Sequence, residues 1–189
     1  ADLQAQLAAN ETGRAELLAL VARHGEPHVT RYMARVQENA EATIREVIRT
    51  LPGGSFEYPM DIGQTIRVAV SVDAAAGTAK VDFPGTSAQH EMNYNAPLAV
   101  TRAVVLYCFR TLIGKNIPLN EGCLIPIEIV VPAASMLNPA EGAAVIAGNT
   151  EVSQAACNAL FGALGVIAGS QATMTNFVWG KDRFQNYET

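Results

Sequence analysis

Ile66-Arg67-Val68-Ala69-Val70-Ser71-Val72 alternates branched apolar residues with polar or small ones, and the same period returns in Ala79, Val81 and Phe83 after a turn at residues 73–77. A period of two places one set of side chains on one face of a strand, so the stretch predicts a β-hairpin with a single buried face. The residues before it follow another rule. Leu3, Leu7, Leu17, Leu18 and Val21 fall on helical spacing, and after a break at Gly25, with Pro27 at a first-turn position, comes a second run. Val29, Met33, Val36, Ala40, Ile44, Val47 and Leu51 recur every three or four residues until Pro52-Gly53-Gly54. A helix over 26–51 would be roughly 39 Å long at 1.5 Å per residue, long enough to protrude or to lie on another body. Together the two runs predict a long antiparallel helical hairpin over residues 1–54.

The rest, residues 55–189, predicts an α+β body. Pro97 opens an apolar helix through Val100, Val104, Val105, Cys108 and Leu112, expected to be buried because it is apolar nearly all round. Ile125, Ile127, Ile129 and Val131 predict a strand that Pro126 confines to an edge or a strand start. Residues 143–147 read as a short further strand, and 173–179 as a last one. Gly148-Asn149-Thr150-Glu151 supplies a turn, a cap and a first-turn acid for a helix lined by Val152, Ala156, Ala159, Ala163 and Ile167. Its Ala and Gly content lets another backbone come close. The expected fold is a mixed β-sheet packed with two apolar helices, preceded by the hairpin.

Composition narrows the function classes. Of 189 residues, 49% are hydrophobic and 16% charged, below the ~25% charged residues of an average soluble domain. Thirteen basic against eighteen acidic residues give a net charge of -5, so no nucleic-acid groove and no anionic membrane surface is expected. Arg102 and Arg110 interrupt the longest apolar stretch, and no signal peptide opens the chain. Cys108, Cys123 and Cys157 are widely spaced in apolar runs and read as buried thiols of a reducing, cytoplasmic compartment. A start at Ala1 and an end in an aromatic-polar run lead to the expectation of a piece of a longer protein.

No Walker loop, GxGxxG, GxSxG elbow or HExxH occurs. His24 and His28 have metal-pair spacing, but Gly25 and Pro27 break the helix that would aim both at one ion, so no metal site is assigned. His90 beside Glu91 could serve as a base. Three polar clusters sit where strands give way to helices or turns, places that commonly hold ligands. Asn93-Tyr94-Asn95 leads to Thr101 and Arg102, and Asn95 and Arg102 suit a carboxylate or phosphate; a helix cap and a structural arginine are the favoured explanation, because asparagine favours caps generally. Asn149, Glu151, Ser153 and Gln154 lie at a helix start, either a ligand site or a self-capping turn. In Ser170-Gln171-Ala172-Thr173-Met174-Thr175-Asn176, Asn176 falls on a largely apolar face and needs a partner, which a ligand or the fold could supply.

The strings Asp82-Phe-Pro-Gly-Thr86, Asn95-Ala-Pro-Leu-Ala-Val-Thr101, Ile117-Pro-Leu-Asn120-Glu-Gly-Cys123-Leu, Ala147-Gly-Asn-Thr-Glu-Val-Ser-Gln154 and Asn186-Tyr-Glu-Thr189 resemble the hydantoinase B/oxoprolinase family across the whole chain. The stretch from Tyr107 to Asn120 is most similar to members that open the lactam of 5-oxo-L-proline to L-glutamate with ATP. The resemblance covers only a middle stretch of the hydantoinase B-like part. It implies a fragment of an ATP-dependent cyclic-amide hydrolase that holds no cofactor itself, with ATP and a divalent metal expected for the full enzyme. It also implies a hydantoinase A-like nucleotide-binding partner, on the same or a separate chain; the expectation of a homo-oligomer comes instead from the apolar seam of the long hairpin, part of which the fold would leave uncovered. The metal ligands of relatives lie upstream, so no catalytic residue is carried over. Pro84 stands where relatives often have Ser, and Ala172 and Thr175 where they often have Gly and Asn. Other readings are a segment of an N-methylhydantoinase or of an acetone-carboxylase-type subunit, and an assembly module with no direct catalytic role.

Overall fold

The computed structural model describes residues 1–172, 177–181 and 183–188. Helices α1 (Asp2–His24) and α2 (Glu26–Ile48) form the hairpin, with Gly25 at φ 81° making the break between them and Pro27 in the first turn of α2. A positive φ of this kind is costly for any residue with a Cβ, which is why glycine sits there. Helix α2 ends near Ile48, a turn earlier than the periodicity suggests. Thr50 and Leu51 instead donate back to the Val47 and Ile48 carbonyls.

Helix α1 has no buried residue. Helix α2 changes character along its length. Met33 and Val36 are exposed, whereas Ala40, Ile44 and Ile48 are fully buried in the core that also holds the sheet. Burial of Ile44 and Ile48 contributes about 1.5–3 kcal/mol each. The hairpin is thus rooted by one end of one helix.

Strands β1 (Gly54–Pro59), β2 (Thr65–Asp73), β3 (Thr78–Asp82) and β4 (Ile127–Val130) form a mixed sheet in that order. The first three are antiparallel, β3 and β4 parallel, with Val70 opposite Val81 and Val81 opposite Ile129. The predicted β2–β3 hairpin is present, and Pro126 stands before an edge strand. Ile125 lies outside that strand, capping the 3-10 turn Glu121–Leu124, and is exposed. Strand β1 has no counterpart in the sequence reading.

Ile66, Val68, Val70, Ala79 and Val81 cover one face of the sheet, against which α4 (Ser153–Leu164) packs. The small residues of α4 do bring a neighbour close, since a Cβ on Gly162 would lie 2.7 Å from the Phe56 ring of β1. Helix α3 (Leu98–Thr111) lies on α4. Thr101, Val104, Val105, Cys108 and Phe109 of α3 are buried, but Leu98 and Tyr107 are exposed. The helix expected to be buried all round therefore buries one side only, because nothing among the described residues covers the other.

Two further expectations are corrected. Residues 143–147 form no strand; the backbone reaches Ile146 irregularly and turns helical there. The Ala144 carbonyl accepts from Asn95 Nδ2 and the Ala147 N–H donates to the Asn93 carbonyl, so loop contacts replace a ladder. Gly148–Val152 is a π-helical turn running directly into α4, with no side-chain cap at Asn149. Helix α4 closes at Gly165 in the left-handed region, which leaves Ile167 outside it. Strands β5 (Phe177–Lys181) and β6 (Phe184–Glu188) form a separate antiparallel hairpin. The first residues of the expected strand 173–179 lie outside the described residues, while 177–179 belong to β5. No helix among the described residues is long and apolar enough to cross a membrane.

Candidate functional site

Each of the three polar clusters contributes a polar side chain, Tyr94, Glu151 or Gln171, to one cleft. It has a volume of about 320 Å³ and is lined by Tyr58 to Ile62, at the end of β1 and the turn after it, by Tyr94, by Glu151 and Ala155, and by Gln171 and Ala172. Each segment is held there by a distinct device. Buried Asn95 accepts from the His90 N–H at 2.7 Å and directs its amide nitrogen to the carbonyls of His90, Met92 and Ala144 at 3.0, 2.9 and 2.8 Å. This fixes the loop from which Tyr94 reaches the cleft, and the His90 ring meets Tyr94 edge-on with centroids 5.5 Å apart. The His90 Nδ1 accepts from the Met92 N–H at 3.0 Å.

Glu151 is placed by the π-helical turn. Such turns insert one residue into a helix and recur at functional sites, because they re-aim the side chains that follow. Gln171 and Ala172 are tied to α4 by Asn158, which accepts from the Ser170 N–H at 2.8 Å and donates to the Ser170 carbonyl at 3.0 Å. Ala172 has φ 61°, a conformation that a residue with a Cβ adopts only when its surroundings hold it.

The other residues singled out from sequence are placed elsewhere. Asn95 supports the cleft through the backbone, its side chain taken up by the four contacts above. Arg102 is on the exposed side of α3, 3.8 Å from Glu121. Ser153 donates to the Asn149 carbonyl at 2.8 Å and Gln154 to the Thr150 carbonyl at 3.2 Å, both within the helix. The backbone donors expected at a helix start here lie inside a continuous helical segment. Asn176 lies outside the described residues. Sequence reasoning missed Tyr58 and Asp61; the signal available was the Phe56/Tyr58 alternation ahead of Pro59 and Gly63.

Among the described residues, the cleft lining combines two carboxylates (Asp61, Glu151), two phenols and one amide, with no Lys or Arg. Such a set accepts N–H donors and can donate to a carbonyl, but it repels anions. It does not fit the polyphosphate of ATP. Among the described residues no group of three His, Cys, Asp or Glu side chains is arranged to hold a metal ion. His24 and His28 stack 6.1 Å apart at the hairpin tip, beside an apolar groove containing Leu20, Tyr32 and Met33.

The model of the hydantoinase B/oxoprolinase family matches residues 1–189, from end to end. The chain belongs to that family. It is 42% identical to 5-oxoprolinase 1 of Arabidopsis thaliana over the whole of this chain and 16% of that protein. It is 37% identical to the 5-oxoprolinase of Saccharomyces cerevisiae, over 95% of this chain and 14% of the relative. The chain thus spans about a sixth of the length of these curated relatives. Among solved structures, the ATP-dependent caprolactamase of Pseudomonas jessenii matches with a TM-score of 0.63 at 19% identity, over 86% of this chain and 30% of that one. An acetone carboxylase matches with a TM-score of 0.66 at 18% identity, over 80% and 22%. At these identities the two share the family fold with this chain.

Proposed function

We propose that this hydantoinase B segment is part of an ATP-dependent cyclic-amide hydrolase that converts 5-oxo-L-proline to L-glutamate, and that the Tyr58–Tyr94–Glu151 cleft contributes to its substrate site. The supporting observation is identity of 42% to a 5-oxoprolinase over the entire chain; Tyr94, Glu151 and Gln171, one from each polar cluster, line the cleft. A lactam offers one N–H donor and one carbonyl acceptor. Carboxylate and phenol groups complement both. The carboxylate of 5-oxoproline needs a cation that this lining does not provide, so that recognition is assigned to other parts of the parent, as are ATP, its metal and activation of the carbonyl. A hydantoinase A-like partner supplies the nucleotide site in this reading, and the enzyme works in the cytoplasm.

ATP hydrolysis by the parent protein tests the reading. Hydrolysis stimulated by 5-oxo-L-proline, and not by acetone with bicarbonate, supports it. Stimulation by acetone and bicarbonate alone overturns it in favour of a carboxylase.

A second role rests on a separate observation. Helix α1 buries nothing, and Leu17, Leu18, Leu20, Met33 and Val36 of the hairpin are exposed. We infer that this face joins copies of the protein in a homo-oligomer, so that the segment serves assembly as well as the substrate site.

A further inference from the structure

Gln171 supplies the amide in the lining of the Tyr58–Tyr94–Glu151 cleft. It stands on a short strap that leaves α4 at Gly165 and returns to Asn158 of the same helix. Ile167, Ala168 and Ser170 of the strap line a second cleft of about 390 Å³, and the next two residues, Gln171 and Ala172, line the first. The crossing is fixed on both sides of Gln171. Buried Asn158 accepts from the Ser170 N–H at 2.8 Å and from the Ser170 hydroxyl at 3.3 Å, and donates to the Ser170 carbonyl at 3.0 Å. The Ser170 Oγ in turn accepts from the Ala172 N–H at 3.2 Å, and Ala172 is held at φ 61°. Residues kept in so costly a backbone conformation gather at ligand clamps. The Gln171 side chain itself is exposed and hydrogen-bonded to no described residue, whereas Asn95, Gln154 and Asn158 use their amides on main-chain groups.

We propose that the Gln171 amide is the specificity-determining group of the cleft, pairing with the N–H and C=O on one edge of a cyclic amide and so selecting lactams over open-chain amides. This rests on the reading of the cleft as part of the lactam site. The physical reason is amide geometry. An open-chain amide is almost always trans, with its N–H and C=O on opposite sides. A small lactam ring forces the amide cis, and both groups then point to one side. A primary amide also carries its acceptor and one of its donors on one side. Gln171 Oε1 accepts the lactam N–H while Nε2 donates to the lactam carbonyl, two bonds on a single edge. A trans amide makes one of them and leaves the other group unpaired, which costs more than a bond ordinarily gains.

The other polar groups of the lining lack this pattern. The carboxylates of Asp61 and Glu151 only accept, and the phenols of Tyr58 and Tyr94 each offer a single point of contact. Gln171 meets the substrate before the ring opens, so its contribution falls on binding. Opening the ring breaks the C–N bond and removes the cis edge, and the product loses the pairing that held the substrate.

The test uses the parent protein and its ATP hydrolysis stimulated by 5-oxo-L-proline, with pyrrolidone, N-methylpyrrolidone and N-methylacetamide as competitors. Pyrrolidone keeps the cis edge, N-methylpyrrolidone keeps the ring and carbonyl without the N–H, and N-methylacetamide keeps both groups in trans. In the unaltered protein pyrrolidone should compete about tenfold or more better than either of the others. In Gln171→Leu the inhibition constants should converge, and KM for 5-oxo-L-proline should rise about tenfold with kcat little changed, the mark of lost ground-state binding. Gln171→Glu, of the same size with an acceptor in place of the donor, should do the same. Because the side chain is exposed, the unfolding midpoints of both variants should not move. A preference for pyrrolidone that persists in Gln171→Leu, no preference in the unaltered protein, or a fall in kcat at constant KM would overturn the proposal while leaving lactam hydrolysis in place. Absence of any stimulation by 5-oxo-L-proline is a separate outcome, which removes the lactam reading of the cleft and this inference with it.

Discussion

Gly148 packs directly against the Asn95 backbone: a Cβ at 148 would fall inside the contact radius of the Asn95 carbonyl oxygen and 2.8 Å from the Ala96 Cα. The opposing atoms are main chain and cannot rotate aside. This contact joins the loop that carries Tyr94 to the turn that carries Glu151. Gly148→Ala should therefore destabilise the chain by about 1–3 kcal/mol through overpacking. Denaturant unfolding checks it, and an unchanged midpoint would show that the two segments part without cost.

Asn95 holds the other side of that junction. Replacing it with alanine removes one acceptor and the donors to three loop carbonyls at a fully buried position. A loss of about 3 kcal/mol is expected, since buried polar groups left without partners cost about 1–3 kcal/mol each and neighbouring carbonyls relax together. Thr12→Ala, which removes an exposed hydroxyl bonded within α1, should leave the midpoint unchanged and serves as the control.

The alternation around Val68 and the seam around Ile44 make the β2–β3 hairpin and α2 legible, because each carries a long run with one period. Strand β1 escapes notice because its residues are almost wholly exposed and flanked by Gly and Pro, so the two aromatics Phe56 and Tyr58 are the whole of its apolar period. Residues 143–147 mislead for the opposite reason. A five-residue apolar run fits strand and helix equally, and here Asn93 and Asn95 take its backbone groups. Each polar cluster has a residue at the cleft, but of the residues singled out individually only Glu151 lines it. Whether an asparagine faces a ligand or braces a loop depends on groups fifty residues away, as Ala144 is from Asn95, and local sequence does not encode that.

Glu151 and Tyr94 are expected to act on turnover rather than on folding. In the parent protein, Glu151→Gln and Tyr94→Phe should each lower kcat/KM for 5-oxo-L-proline by about tenfold or more, equivalent to about 1.4 kcal/mol of transition-state stabilisation. Thermal midpoints should stay within a degree or two of the unaltered protein. Full activity in both variants would remove the cleft from the substrate site.

The Glu11–Arg14 pair gives a contrasting expectation. Arg14 donates to the Glu11 carboxylate at 2.6 and 2.9 Å, which holds Glu11 below its ordinary value of 4.5. A lowered folded-state pKa makes the pair stabilising above about pH 4.5, an effect lost as pH falls through the folded value. Both side chains are more than 60% exposed, so water and salt screen the interaction. Glu11→Gln should leave the unfolding midpoint at pH 7 unchanged within error, and a clear drop would mean that α1 is held more tightly than its exposure indicates.

Helix α1 is expected to matter for association and hardly for the fold of the body. At 1.5 Å per residue, the 23 residues of α2 extend about 35 Å, and only the end from Ala40 onward enters the core. The outer part leaves Met33 56% and Val36 41% exposed, with Leu17, Leu18 and Leu20 of α1 about half exposed nearby. Apolar side chains at this spacing favour burial against a partner surface. Removing residues 1–24 should then delete 23 residues of helical signal while preserving one cooperative unfolding transition for the rest. The intact chain should sediment as an oligomer at high concentration, and Met33→Asp with Val36→Asp should return it to a monomer without shifting its unfolding midpoint. A monomer at every concentration, or collapse of the body when α1 is removed, would show that the hairpin serves the fold itself.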